Sequence, residues 1–477
     1  TAMAKSLRVK GYSGTEDLLT PFVNELAEWF AQKGVRFISK EELISLNYWR
    51  QYGIVAPPFV QQVVREHILH SYIYKGKEEL YFAYDQMNDY FCAKAIVNGS
   101  ESKDEIRKKV INDVLQIRNG KITNLGNSDV FINICALFAT KYEEECIDLI
   151  DEVRNVDEKA RLISRYIQSF RWRSMKSIAK QSFLNCIIKY SPEPKDVWEV
   201  LIGNSVKTEH PLNANFLHDF LSRYELNKRD YIWTTYINML FSDESNRVTQ
   251  LIQMYDKGDS IAIKDKKQTE LLLTLFGWLL TSSDRSLRDY TSKAMIELLK
   301  ENFDLCEVLL KKFEHVNDPY VFQRLYGVVF GACCKRRYAQ MKVFCSLSEY
   351  VYLTIFDQKN VYPDILLRDY ARLIIERFLW EKSDYSGIID RAMIAPPYKS
   401  DPIPVVDQDY TKMNFKGGLF AISMSMRFEN MGMYGDFGRY VFQSALRYFM
   451  VDHRQIFNYA MSFIINDLGY KEEWFGD

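Results

Sequence analysis

Between Ser282 and Trp380 one local pattern occurs three times in variant form, and it restricts what this stretch can fold into more than any other feature of the chain. Leu287-Arg288-Asp289-Tyr290 recurs letter for letter as Leu367-Arg368-Asp369-Tyr370, 80 residues later, and near the midpoint Asn317-Asp318-Pro319-Tyr320-Val321 leads into Arg324-Leu325. The three arginines stand 36 and 44 residues apart, and each has an aspartate four or six positions upstream: Asp284, Asp318 and Asp364. A period of about 40 residues belongs to stacked helix pairs. In the first copy Leu287, Tyr290, Ala294 and Leu298 share one helical face, and in the third Leu367, Tyr370, Ile374 and Phe378 do the same. One such helix has nothing to bury its stripe against, so neighbouring pairs must stack and share a core.

The upstream aspartate of each copy can cap its helix, and the arginine can pair with an aspartate of its own or the next repeat, building a ladder along the stack. Both patterns resemble HEAT repeats, in which an aspartate and an arginine stand in this relation. Asp284, Arg288, Asp318, Arg324, Asp364 and Arg368 are accordingly read as ladder residues and not as ligand contacts. The expected fold is mainly α: an irregular α-solenoid of HEAT-like helix pairs preceded by a small winged-helix-like region.

At 477 residues the chain exceeds one compact core. With 62 basic against 63 acidic residues it has no global field to attract nucleic acid or an anionic membrane. The 31 Tyr and 30 Phe can fill the layers between helices or enrich a protein-binding surface, and composition does not separate these uses. The eight cysteines show no C-x-x-C and no histidine at zinc spacing, so they read as reduced, buried thiols of a cytoplasmic protein. No apolar run approaches the roughly 18 residues of a membrane span. Thr1-Ala2-Met3-Ala4 lacks the core of a signal peptide and is expected to be a cut boundary.

Residues 1–18 read as a flexible lead-in. From Pro21 a helix carrying Phe22, Leu26, Trp29 and Phe30 runs to Gly34; Phe37-Ile38-Ser39 reads as a short strand, and Ser39 with Glu42 as a capping box. Pro57-Pro58 interrupts before a helix with Phe59, Val63, Ile68 and Leu69. Tyr72-Ile73-Tyr74 and Leu80-Tyr81-Phe82 are expected to pair around Lys75-Gly76-Lys77, ahead of a helix from Gln86 to Val97. Helices closed by a small hairpin make a winged helix. Tyr81-Phe82-Ala83-Tyr84 leading into Asp89-Tyr90-Phe91-Cys92-Ala93 resembles the end of the winged-helix part of NACHT-type STAND NTPases, over residues 20–98. The resemblance implies a nucleotide-facing histidine at the position of Tyr84. A phenol donates to phosphate oxygen but carries no positive charge near neutral pH, so Tyr84 stands either as a nucleotide contact or as a residue packed under the hairpin.

No G-x-x-x-x-G-K-[ST] occurs; Gly203-Asn204-Ser205-Val206-Lys207-Thr208 lacks the second glycine. The resemblance therefore places ATP and Mg in an NTPase core upstream and no cofactor in this chain. Short helical patterns continue from Ile106–Ile117 to Thr269–Leu280, so 101–280 is expected as an irregular helical-repeat region and 281–395 as the HEAT-like part. Glu143-Glu144-Glu145 reads as a helix start or solvated face. Pro396, Pro397, Pro402 and Pro404 mark 396–416 as a long loop, and 417–477 as a helical cap, with a helix starting at Tyr434-Gly435-Asp436-Phe437-Gly438-Arg439-Tyr440-Val441 and running to Met450. Its Asp-Phe-Gly has no kinase partners. With the Leu-Arg-Asp-Tyr helices and the Leu468-Gly469-Tyr470 to Phe475-Gly476-Asp477 ending, residues 280–477 resemble the sensor half of antiviral STAND NTPases, the Avs family.

No catalytic constellation stands out. His67 and His70, three apart on an expected helix, form a metal pair without a third ligand and read as an exposed face. Arg171-Trp172-Arg173 and Lys335-Arg336-Arg337-Tyr338 are the basic clusters; the second reads equally as a helix C-terminus complementing its dipole, which disfavours nucleic acid. Lys335, Arg336, Arg337 and Tyr338, with Tyr398 and Tyr410, are the candidate partner contacts. The family resemblance implies a ligand-sensing, non-catalytic arm that recognises a phage terminase or portal protein, with homo-oligomers forming only in the full-length activated protein. The alternatives are a HEAT-like scaffold or nucleic-acid-binding protein without a linked ATPase, and an enzyme with its site in the proline-rich loop or the last domain.

Overall fold

The computed structural model describes residues 18–124, 127–241, 246–256, 265–336, 340–399, 404–446 and 451–470. Helix makes up 67% and strand 4%, which places the chain in the mainly α class. No helix among the described residues is long and apolar enough to cross a membrane. The chain divides into two compact units, Thr1–Asn204 with Glu209–Pro211, and Ser205–Thr208 with Leu212–Asp477. The expected lead-in, apart from Leu18, lies outside the described residues, as do Arg337, Tyr338 and the last seven residues.

In the first unit α1 (Leu19–Lys33) buries Phe22, Leu26 and Phe30, and β1 (Ile38–Ser39) leads through the Ser39/Glu42 capping box into α2 (Lys40–Ile44). After α3 (Tyr48–Tyr52), α4 (Ala56–Arg65) begins with Pro57 and Pro58 in its first turn. The two prolines open this helix and do not interrupt it, because first-turn N–H groups have no helical acceptor to lose. The helix ends earlier than its apolar spacing predicts. His67 takes φ 54 and turns the chain, so Leu69 starts β2 (Leu69–Tyr74). Lys75 and Gly76, at φ 49 and 78, form the tight turn to β3 (Lys77–Phe82), and the sheet has order β1-β3-β2, all antiparallel.

α5 (Asp85–Asn98) packs on α1, and α6 (Lys103–Lys109) leads to a two-strand ladder of β4 (Ile117–Arg118) and β5 (Lys121–Ile122). α7 (Ser128–Tyr142) lies on α5 and on α8 (Val156–Ser169), followed by α9 (Lys180–Tyr190) and α10 (Pro194–Asn204). The α5–α7 contact carries the core across residue 100, and the break between units falls at 204–212, inside the 101–280 segment. One ion pair anchors this half: Arg173, side chain fully buried, makes a two-pronged contact with Glu145 at 2.7 and 2.8 Å, and Tyr166 donates to the same carboxylate at 2.7 Å. Glu145 is thus a core partner, where the acidic run reads as a solvated face.

The second unit opens with α11 (Ala214–Leu221) and α12 (Leu226–Arg229), which continues through 230–234, with hydrogen bonds reaching one residue further than in an α-helix, into α13 (Thr235–Phe241). Then come α14 (Arg247–Asp256), α15 (Lys266–Leu279), α16 (Arg285–Glu301), α17 (Leu305–Phe313), α18 (Pro319–Lys335), α19 (Met341–Val351) and α20 (Ile365–Glu381). They form two layers: α14, α16, α18 and α20 lie side by side, and α15, α17 and α19 lie side by side beneath α16, α18 and α20. The cap comprises α21 (Gly417–Met426), the helical stretch ending in α22 (Ser444–Leu446), and α23 (His453–Ser462), around Phe428, Phe457 and Met461.

A buried knot joins these parts. The Arg229 side chain has no solvent exposure; it donates to Asp318 Oδ2 at 3.1 Å and to the Asn317 carbonyl, and its guanidinium lies over Trp278 at 5.4 Å. Next to it Asn227 donates to the Gly469 carbonyl at 2.9 Å, and Asp230 accepts from Thr234 at 2.8 Å and from Tyr470 at 3.5 Å. Burial raises the Asp318 carboxyl in spite of Arg229, and burial likewise raises Asp230.

Two outcomes follow for stability. Arg229→Ala leaves Asp318 buried without its cation and should cost about 3–5 kcal/mol by urea unfolding, whereas the double variant Arg229→Met/Asp318→Asn, with no buried charge left unpaired, should lose far less. Because the folded protein holds the Asp230 proton more tightly than the unfolded chain, its contribution is full at low pH and is lost as pH rises through the raised value. Asp230→Asn should therefore lessen the fall in urea midpoint that wild type shows as pH rises above the ordinary aspartate value of about 3.9.

Candidate functional site

The three repeated segments are α16, α18 and α20, and the upper layer sets them next to one another. Asp284, Asp318 and Asp364 each accept from a first-turn backbone N–H, those of Leu287, Val321 and Leu367, at 2.9, 3.1 and 2.8 Å. The three arginines take different partners. Arg324 reaches back to α16, donating to Ser292 Oγ at 3.0 Å and pairing with Asp289. Burial works to raise the Asp289 carboxyl, but the hydrogen bond and charge of Arg324 outweigh it and hold it below its ordinary value. Arg288 donates to the Ser282 carbonyl at 2.7 Å and lies over Tyr320, while Arg368 lies over Tyr398 at 4.9 Å. The carboxylate that meets an arginine across the layer is thus the aspartate inside the Leu-Arg-Asp-Tyr motif, not the capping one.

At the far end of this layer a cleft of about 750 Å³ opens between α18, α20 and the segment after α20, lined by Phe330, Leu373, Trp380 and Ile394 with Arg377 and Arg391. Trp380 is 68% exposed, with the Arg377 guanidinium 4.9 Å from its ring centre. The candidate contacts next to it divide. Lys335 is exposed and donates to Glu297 at 2.6 Å. Arg336 does not face a partner: its side chain is buried against Phe344 and pairs with the equally buried Glu381, which also accepts from Arg377 at 2.9 Å. Tyr398 is half-buried under Arg368, and Tyr410 is buried in the cap, donating its backbone N–H to Asn458 at 3.0 Å. A run of basic letters does not reveal that its middle member is desolvated by an acid 45 residues away.

In the cap, the Gly-Asp-Phe-Gly letters have a packing reason. A methyl group on Gly435 would overlap the carbonyl oxygen of Met424, and one on Gly438 that of Arg427, so these glycines let the helical stretch 436–446 rest directly on the backbone at the end of α21. Its inner face presents Phe442 and Leu446 to the core, and its outer face leaves Phe437, Tyr440 and Val441 exposed. Residues 447–450 of the expected helix lie outside the described ones.

In the first unit Tyr84 is the residue before α5 and is 64% exposed, so it is not packed under the hairpin. Near it Arg36 pairs with the buried Asp89 at 2.9 Å and with Asp85 at 3.5 Å, and burial raises Asp89 against the pull of Arg36. A cavity of about 270 Å³ lies between α1 and α5. His67 and His70 occupy a turn and a strand, not one helix face, with ring centres 5.6 Å apart. Arg173 of the first basic cluster is committed to Glu145. Six cysteines are buried as expected of core thiols, among them Cys135 and Cys146 with sulfurs 3.5 Å apart, but Cys334 is exposed and Cys345 partly so.

Sequence reading missed Arg229 and the Trp380 cleft. The signal for the cleft was a tryptophan off the apolar stripe of α20; Arg229 left none, since its partner lies 89 residues away. Comparison of the chain with known protein families, curated proteins and solved structures finds no match. Gly438→Ala should loosen the cap by about 2–3 kcal/mol, read as faster hydrogen exchange in 417–461 with that of 285–381 unchanged.

Proposed function

We propose that this chain is the ligand-sensing region of an antiviral STAND NTPase, an irregular α-solenoid of HEAT-like helix pairs behind a winged-helix-like region, which recognises a phage structural or packaging protein such as a terminase or portal. The observation that carries the reading is the side-by-side placement of α16, α18 and α20, which offers a broad face ending in the exposed aromatic cleft at Trp380. Exposed aromatic side chains beside arginine are what strong protein contacts are made of. Two of the basic residues that would favour nucleic acid, Arg173 and Arg336, are buried in ion pairs.

On this reading the chain supplies binding energy, and ATP and Mg belong to an NTPase core upstream. Tyr84, which is exposed, would on the same reading donate its phenol O–H to a diphosphate oxygen of a nucleotide held there. Partner binding then shifts the full-length protein toward its oligomeric, active form by as much as the partner prefers that form. Co-purification of the chain with phage large terminase subunits and portal proteins tests the reading. A complex is expected, and Trp380→Ala should weaken it by about 2 kcal/mol, roughly 30-fold, in a titration. Failure of every such protein to bind would refute it.

A further inference from the structure

The cap carries a second apolar surface, distinct in sequence and in place from the Trp380 cleft. Met433 is 71% exposed, Tyr440 64%, Val441 45% and Phe437 44%, although the helical stretch that bears three of them is seated backbone on backbone through Gly435 and Gly438. An apolar face on so firmly seated a helix loses little entropy when something covers it. In its midst Arg439 lies over the rings of Tyr434 and Tyr440, at 5.2 and 5.5 Å, and donates to the Tyr434 hydroxyl at 3.0 Å. No carboxylate forms an ion pair with it among the described residues, and Asp436, one turn earlier, is exposed. A guanidinium held beside two phenols, with one N–H given to the Tyr434 hydroxyl, keeps its charge and its other N–H groups for a carboxylate brought from outside.

We propose that Tyr434, Phe437, Arg439, Tyr440 and Val441 form a docking surface for an acidic segment of a partner protein, one that sets a bulky apolar side chain on Phe437, Tyr440 and Val441 and a neighbouring carboxylate on Arg439. The inference rests on the partner-sensing reading above and adds the place and chemistry of one contact. Five side chains suit a short segment and fall well short of the roughly 800 Å² per subunit that a stable dimer buries, so a second copy of this chain is the poorer occupant.

The test uses fluorescence anisotropy on the full chain with two labelled synthetic peptides, both carrying Leu and Trp, flanked by Glu in one and by Lys in the other. The Glu peptide should bind about 10-fold or more tightly than the Lys peptide; Arg439→Gln should erase that preference, and Tyr440→Ala should weaken the Glu peptide by about 10-fold. Both side chains face solvent, and unchanged hydrogen exchange in the cap checks that the variants fold. Equal binding of the two peptides, no binding, or a preference untouched by Arg439→Gln overturns the proposal, as does a concentration-dependent dimer that Tyr440→Ala abolishes. A terminase or portal that binds the chain undiminished by Arg439→Gln and Tyr440→Ala, with peptides bound indifferently, leaves the functional reading standing without this surface. Charge-selective peptide binding through Arg439, with no phage protein bound, has the opposite meaning.

Discussion

A guanidinium with no access to water has to find its partners inside the protein, and at Arg229 those partners come from across the second unit: the Asp318 carboxylate and Asn317 carbonyl at the start of α18, and the face of Trp278 in α15. The same short stretch holds Gly469 through Asn227 and Tyr470 through Asp230. Asp318 is therefore engaged twice, as cap of its own helix and as counter-ion of Arg229. Such a pair contributes little net stability over an apolar replacement, but any arrangement that separates its members leaves a buried charge alone, which penalises alternative packings.

The repeated helices show how one sequence motif yields unlike contacts. Their caps are equivalent because an N-cap depends only on local geometry. Their arginines differ because each meets whatever the neighbouring element presents: Asp289 and Ser292 for Arg324, a tyrosine ring for Arg288 and for Arg368. The first tyrosine of the motif, Tyr290, is 43% exposed despite its place on the apolar stripe, so the edge of the stripe lies at the rim of the core.

Aromatic side chains do both kinds of work here. Trp233, Trp278, Tyr326 and Phe378 fill the layers, whereas Phe437 is exposed and Trp380 and Tyr440 face solvent beside arginines. Periodicity separates the two groups imperfectly. Phe437, Tyr440 and Val441 repeat at helical spacing just as a core stripe does, and in the cap it is Phe442 and Leu446 that turn inward.

Residue order alone was enough for the mainly helical class, for the starts of α16, α18 and α20, for the Ser39 capping box and for the hairpin at Lys75-Gly76, since each rests on bonds between residues a few positions apart. Local letters misled where the decisive partner was remote or the backbone turned: at Arg336 and Glu145, which pair with an acid and a base 45 and 28 residues away, and at His67, where a left-handed residue ends a helix that the apolar spacing would extend. Only the tertiary structure decided which arginines are buried, which aromatic faces stay open and where the two units divide. Those outcomes depend on which side chains compete for the same desolvated space, and that competition exists only after distant segments have packed together.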